Sequence, residues 1–126
     1  VPINIKPKKG KKGPEKQVQD TILQWLRLNG CLAIRVNQGG FFDKRGHYIK
    51  FTDEEGVSDI IACVPAPSKS NHYYGLFCAI ECKSGKAEPS DKQEAFLRKV
   101  GDAYGVRIVA YTLEDVQNVL HWLPNR

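Results

Sequence analysis

GLFCAIECK, residues 75–83, decides the fold. From Leu76 to Ile80 every position is apolar, so both alternating faces of an extended chain call for cover, as in a central strand of a sheet. The run then meets Glu81 and Lys83, two apart and therefore on one face, in line with Phe77 and Ala79. A carboxylate and an ammonium at the end of a buried strand cost desolvation unless something compensates them. A mutual ion pair, or both groups reaching solvent at the sheet edge, would be enough. An E-x-K spacing also arises often by chance, so the pair alone identifies nothing.

Asp59 adds meaning to it. DIIACV (59–64) reads as a second buried strand, opened by Asp59 after the Gly-bearing loop EEGVSD and closed by Pro65-Ala66-Pro67. If the two strands are neighbours, Asp59 and Glu81 converge at one end of the sheet. Two carboxylates brought together repel, and a divalent cation is their natural neutraliser. Mg²⁺ favours one or two carboxylates plus water and phosphate oxygens, which matches this donor set. Lys83 beside them would orient or deprotonate a metal-bound water, or steady a phosphate oxygen.

Further out, CLAIRV (31–36) and VRIVAYT (106–112) read as short buried strands, and Asn37-Gln38-Gly39-Gly40 as a turn. FFDKRGHYIKF (41–51) reads as a hairpin around Asp43-Lys44-Arg45-Gly46, with TDEEGVS (52–58) and SKSNHYYG (68–75) as loops. A helix runs from Glu15 to Asn29, with Val18, Ile22, Trp25, Leu26 and Asn29 as its stripe, Pro14 at its start and Gly30 at its stop. A second spans Ser90 to Tyr104 with Phe96, Leu97 and Val100 on one face; a third spans Thr112 to Trp122, N-capped by Thr112. The order predicts an α/β sandwich of mixed strands, too short for a doubly wound dinucleotide fold. With neither GxxxxGK nor GxGxxG present, no nucleotide cofactor is expected.

Two more residues stand near the expected cleft, each with a plainer alternative. Glu15 shares the buried stripe of the first helix one turn before Val18, yet an acidic residue in a first helical turn also simply favours the positive end of the helix dipole. Gln93, three before Phe96, would point into the same cleft, but Ser90-x-x-Gln93 is also a capping box. The two roles compete for one side-chain amide. Tyr73 and Tyr74 are expected to pack rather than to stack on nucleic acid, and Glu54 and Glu55 to be loop surface.

The 126 residues, 41% hydrophobic and 26% charged, suit one domain and need no disulfide or metal merely to fold. Two Trp, five Tyr and five Phe argue against disorder. No apolar run approaches the roughly 18–20 residues that cross a bilayer, and VPINIKPKKGKKGP has no apolar run behind its charge, so neither a membrane protein nor a secretory signal is expected. Cys31, Cys63, Cys78 and Cys82 form no C-x-x-C pair and find no His at ligand spacing, so all four read as reduced, buried small hydrophobes of an intracellular protein. The net charge of +5 equals the five lysines Lys6, Lys8, Lys9, Lys11 and Lys12. Residues 1–13 therefore read as a flexible basic arm, a usual footprint of nucleic-acid binding that is also compatible with a solvated tail, and 14–126 as one domain.

G-V-S-D-I-I (56–61) followed by A-I-E-C-K (79–83) resembles the D…(D/E)-x-K core of the PD-(D/E)XK nucleases. Glu15 with V-Q-D-T-I-L-Q-W-L, Asn37-x-Gly39, and Gln93 on the following helix look more narrowly like the VRR-NUC group. That group includes small stand-alone phage and bacterial enzymes and the nuclease domain of a eukaryotic crosslink-repair enzyme. The resemblance covers roughly residues 15 to 112. It implies a restriction-endonuclease-like αβββαβ core, Mg²⁺- or Mn²⁺-dependent hydrolysis of DNA, and work in the cytoplasm of a bacterium or of a phage host. It also implies metal binding by Asp59, Glu81 and the Cys82 backbone carbonyl, with Glu15 reaching the metal directly or through water. Lys83 would serve the attacking water and Gln93 would support the site. Ser58 stands where the family name has Pro, at a position that shapes a turn rather than supplying a ligand. Stand-alone members resemble Holliday-junction resolvases and are homodimers, which implies branched DNA, junctions or flaps, as substrate.

The expectation is thus a structure-selective DNA endonuclease, with Lys8, Lys9, Lys11, Lys12, Lys44, Arg45 and Lys50 on surrounding phosphates. Two alternatives compete with it. One is a non-catalytic nucleic-acid-binding protein in which Glu81 and Lys83 form a structural ion pair. The other is a restriction-type, sequence-specific nuclease whose base-reading element would be the 41–51 hairpin.

Overall fold

The computed structural model describes residues 13–36 and 39–126. Residues 1–12, which hold all the lysines of the basic arm, and the Asn37-Gln38 part of the expected turn lie outside the described residues. Helix α1 (Pro14–Leu28) begins with proline at its first turn, where the missing N–H costs nothing. It stops at Asn29, after which Gly30 takes φ +82.

Strands β1 (Leu32–Arg35), β4 (Ile60–Pro67), β5 (Tyr73–Cys82) and β6 (Val106–Ala110) form a mixed sheet in the order β1-β4-β5-β6. The first three are antiparallel to their neighbours, and β6 joins β5 in parallel through helix α2 (Asp91–Asp102). Helix α3 (Leu113–Val119) closes the order, shorter than the stretch to Trp122 that its pattern predicts. Strands β2 (Gly40–Phe42) and β3 (Tyr48–Lys50) make a separate two-stranded hairpin, turned at Gly46 with φ +83. Among the described residues no helix is long and apolar enough to cross a membrane.

The central position of β5 follows from its all-apolar run. Cys78, Ile80 and Cys82 face α1 and α3, meeting Ile22, Trp25, Leu26, Val116 and Leu120. Ala79, on the opposite face, packs with Leu97 and Val100 of α2. Since α2 covers only part of that face, the expected burial of β1 is incomplete: Ala33 is buried, but Leu32 and Ile34 are 72% and 52% exposed. An edge strand with one bare face has nothing to bury them against.

Other readings also change. Pro65 and Pro67 do not end β4, because they lie beyond Cys63, its last residue paired with β1, on an open edge where a missing N–H is tolerated. Tyr73 and Tyr74 belong to β5 rather than to a loop, and both are exposed rather than packed. Cys63 is exposed, while Cys31, Cys78 and Cys82 are buried; all four are free thiols.

Candidate active site

The β4–β5 register sets Ile60 opposite Ile80, so its continuation carries Asp59 toward Glu81, whose carboxyl feels the Asp59 charge. Cross-strand neighbours on one face stand about 5 Å apart at Cβ. The conditional expectation that these carboxylates converge therefore holds. Asp59 is anchored twice: its carbonyl accepts from Val36 N at 2.9 Å, and its Oδ2 accepts from Cys82 N at 2.8 Å.

Glu81 is 1% exposed. Its Oε1 accepts from Gln93 Nε2 at 2.6 Å and lies 3.7 Å from Lys83 Nζ. Its Oε2 is buried with no hydrogen-bond partner. The facing Asp59 carboxylate, when ionised, cannot donate to it. Burial above all, and then the Asp59 charge, push the Glu81 carboxyl from its usual 4.5 up to about 8, against the opposing pull of Lys83. A group so placed binds a proton or a cation, since a lone charge there is costly.

Gln93 does not have to choose between its two roles. Its Oε1 accepts from Ser90 N at 2.8 Å, while Ser90 Oγ accepts from Gln93 N at 3.2 Å, completing the capping box. The amide nitrogen is left for Glu81. Lys83 just follows β5; its N–H continues the ladder to Ala110 O at 2.9 Å.

Glu15 sits in the first turn of α1, which an ion pair between Asp20 and Arg35 ties to β1. Its charge reaches the site: burial, then Asp59, Glu81 and Glu15, hold the Cys82 thiol far above its ordinary range. Among the described residues no group of three or more His, Cys, Asp or Glu side chains is gathered for a metal. Ser58 is buried and turns its hydroxyl onto Ile60 O at 3.0 Å, inside the turn.

Glu54 and Glu55 lie on loop surface, as expected, and both also reach α2. Glu54 meets Lys99 at 2.6 Å, and Glu55 bridges Lys92 at 3.3 Å and Lys50 at 3.4 Å. Beside them Gly56, at φ +71, lies so close to α2 that a Cβ would fall 2.2 Å from Lys92 O. No local pattern announces the contacts with α2, which join residues far apart in the chain. Of the expected DNA-contacting cations, Lys44 and Arg45 are exposed at the hairpin tip and Lys50 is engaged by Glu55.

The fold and site together define an α/β protein with a buried glutamate, a half-buried aspartate, a lysine and a glutamine at one end of a mixed sheet. The chain matches no protein-family model, no curated protein and no solved structure.

Proposed function

We propose that the protein is a metal-dependent deoxyribonuclease of the VRR-NUC group, built on a restriction-endonuclease-like αβββαβ core. On this reading it cuts branched DNA as a homodimer, in the cytoplasm of a bacterium or of a phage host. One observation carries it: the partnerless, buried Glu81 Oε2, with the Asp59 charge beside it. That donor pair fits Mg²⁺ or Mn²⁺, which completes its shell with water and phosphate oxygens and needs no all-protein cage. The element order, helix then three strands then helix then strand once the separate hairpin is set aside, supports the finer fold assignment.

Asp59 and Glu81 would hold the ion, with the Cys82 carbonyl and Glu15 as the further ligands that the resemblance implies. When bound, such an ion offsets charge on a phosphate oxygen and acidifies a coordinated water. The chain does the positioning. Cys82 N–H fixes the Asp59 carboxylate, and Gln93 fixes Glu81 Oε1, leaving Oε2 as the oxygen that would take the ion. Lys83, with a side chain only 14% exposed, stands beside Glu81 to donate to a phosphate oxygen or to hold the attacking water.

The 3.7 Å contact between Lys83 and Glu81 also favours a second reading, a non-catalytic nucleic-acid-binding protein in which that contact is a structural ion pair. Calorimetric titration of Mn²⁺ separates the two. The nuclease reading expects a saturable site in the wild type that is lost in Glu81→Gln. No binding by the wild type, or equal binding by both, favours the second.

A further inference from the structure

Residues 39–58 leave and rejoin the sheet at the rim of the site, for Val36 and Asp59, which bracket them, are hydrogen-bonded to each other at 2.9 Å. Their hairpin keeps an unusual surface. Phe42 and Tyr48 pair edge-to-face at 5.2 Å on one side, and Phe41 and Phe51 lie 6.0 Å apart on the other. Phe42 is 71% exposed and the remaining three rings are each about half exposed. A two-stranded ribbon gains stability by burying one face; this one leaves rings on both faces in water.

The surface is shaped rather than loose. Gly40 makes room for the Tyr48 ring, since a Cβ there would fall 2.8 Å from Tyr48 Cζ. Asp43 Oδ1 accepts from Arg45 N at 2.9 Å and His47 N at 2.8 Å, holding the turn so that Lys44 and Arg45 project from the tip. The one carboxylate near that tip is thereby occupied. At its base, Tyr48 and Lys50 share a cleft with Glu54, Glu55, Gly56 and Lys92, where the glutamates already engage Lys50, Lys92 and Lys99.

Exposed ring faces beside cations suit unpaired bases with their flanking phosphates, because every base offers a π face and stacking tolerates sequence. We propose that the β2–β3 hairpin is a stacking wedge that receives an unpaired base at a DNA branch point on its Phe42–Tyr48 face, with Lys44 and Arg45 on the adjoining phosphates. The inference rests on the nuclease reading for DNA as the partner, and it makes the hairpin the element that distinguishes branched from continuous duplex.

The test is binding in EDTA, where no cleavage is needed, of a splayed-arm DNA with 2-aminopurine at the branch nucleotide and of a duplex of equal length. Wild type should prefer the splayed arm and change the probe's fluorescence. Phe42→Ala/Tyr48→Ala should lose that fluorescence change and about tenfold in affinity for the splayed arm. Phe42→Trp should keep both, and Lys44→Glu/Arg45→Glu should weaken binding. These side chains are exposed, so thermal melts should show folded variants. Wild-type preference absent, or unchanged in Phe42→Ala/Tyr48→Ala, overturns the wedge. So does a loss of self-association in that variant, seen by sedimentation, with DNA affinity intact. Cleavage by wild type in Mg²⁺ is scored separately: branch binding through the hairpin without cutting defeats the nuclease alone, and metal-dependent cutting with an indifferent hairpin defeats the wedge alone.

Discussion

Gln93 donates to Glu81 at 2.6 Å with one end of its amide and caps α2 with the other. Substitution should therefore disturb two things at once. Ser90→Ala removes only the cap and should cost about 1 kcal/mol. Gln93→Ala also strips a donor from a buried carboxylate and should cost about 1–3 kcal/mol more. Urea unfolding of both variants checks the order. Mn²⁺ affinity should shift in Gln93→Ala and hold in Ser90→Ala.

Gly56 and Gly85 both take positive φ, at +71 and +57, but only Gly56 is hemmed in. Gly85→Ala meets open space and should cost about 1 kcal/mol, the conformational penalty alone. Gly56→Ala drives a methyl into the Lys92 carbonyl, so the loop must leave α2 and weaken the ion pairs of Glu54 and Glu55. It should be the more destabilising by at least about 1 kcal/mol, read as a lower urea midpoint. Equal midpoints would refute the close packing of loop and helix.

The raised carboxyl of Glu81 makes metal-free stability depend on pH. The folded chain holds a proton there up to about 8, while the unfolded chain releases it near 4.5. Between those values the native state binds more protons, so stability falls as pH rises and levels off above about 8. Glu81→Gln keeps the shape without the charge. In EDTA it should melt on the order of 5 °C above wild type at pH 8.5, a gap that closes toward pH 4.5. Added Mn²⁺ should raise the wild-type melting temperature and leave Glu81→Gln unmoved.

An unbroken apolar run made the strand that ends in Glu81 legible, with Lys83 just beyond it, and Asp59 needed only the further step that β4 and β5 be neighbours. The caps at Ser90 and Thr112 and the turn at Gly46 were also readable, because each is a local device. Coverage was not. An apolar run such as CLAIRV reads alike whether one face is covered or two, and how far α2 reaches along the sheet leaves Leu32 and Ile34 bare. Prolines 65 and 67 read as breakers because only the tertiary pairing reveals that β1 has ended there. Gln93 looked like a residue with competing duties, whereas an amide has a donor end and an acceptor end. The docking of Glu54, Glu55 and Gly56 on α2 joins positions more than 35 residues apart, and no window of sequence contains it.

The most direct measurement is cleavage of a labelled panel of four-way junction, flap, splayed arm, single strand and duplex. Wild type and Asp59→Asn would be run side by side in Mg²⁺, Mn²⁺ and EDTA. The account predicts cutting by the wild type only with metal, strongest on a branched substrate, and none by Asp59→Asn although it folds and still binds DNA. Metal-independent cutting, or equal cutting by Asp59→Asn, would contradict it.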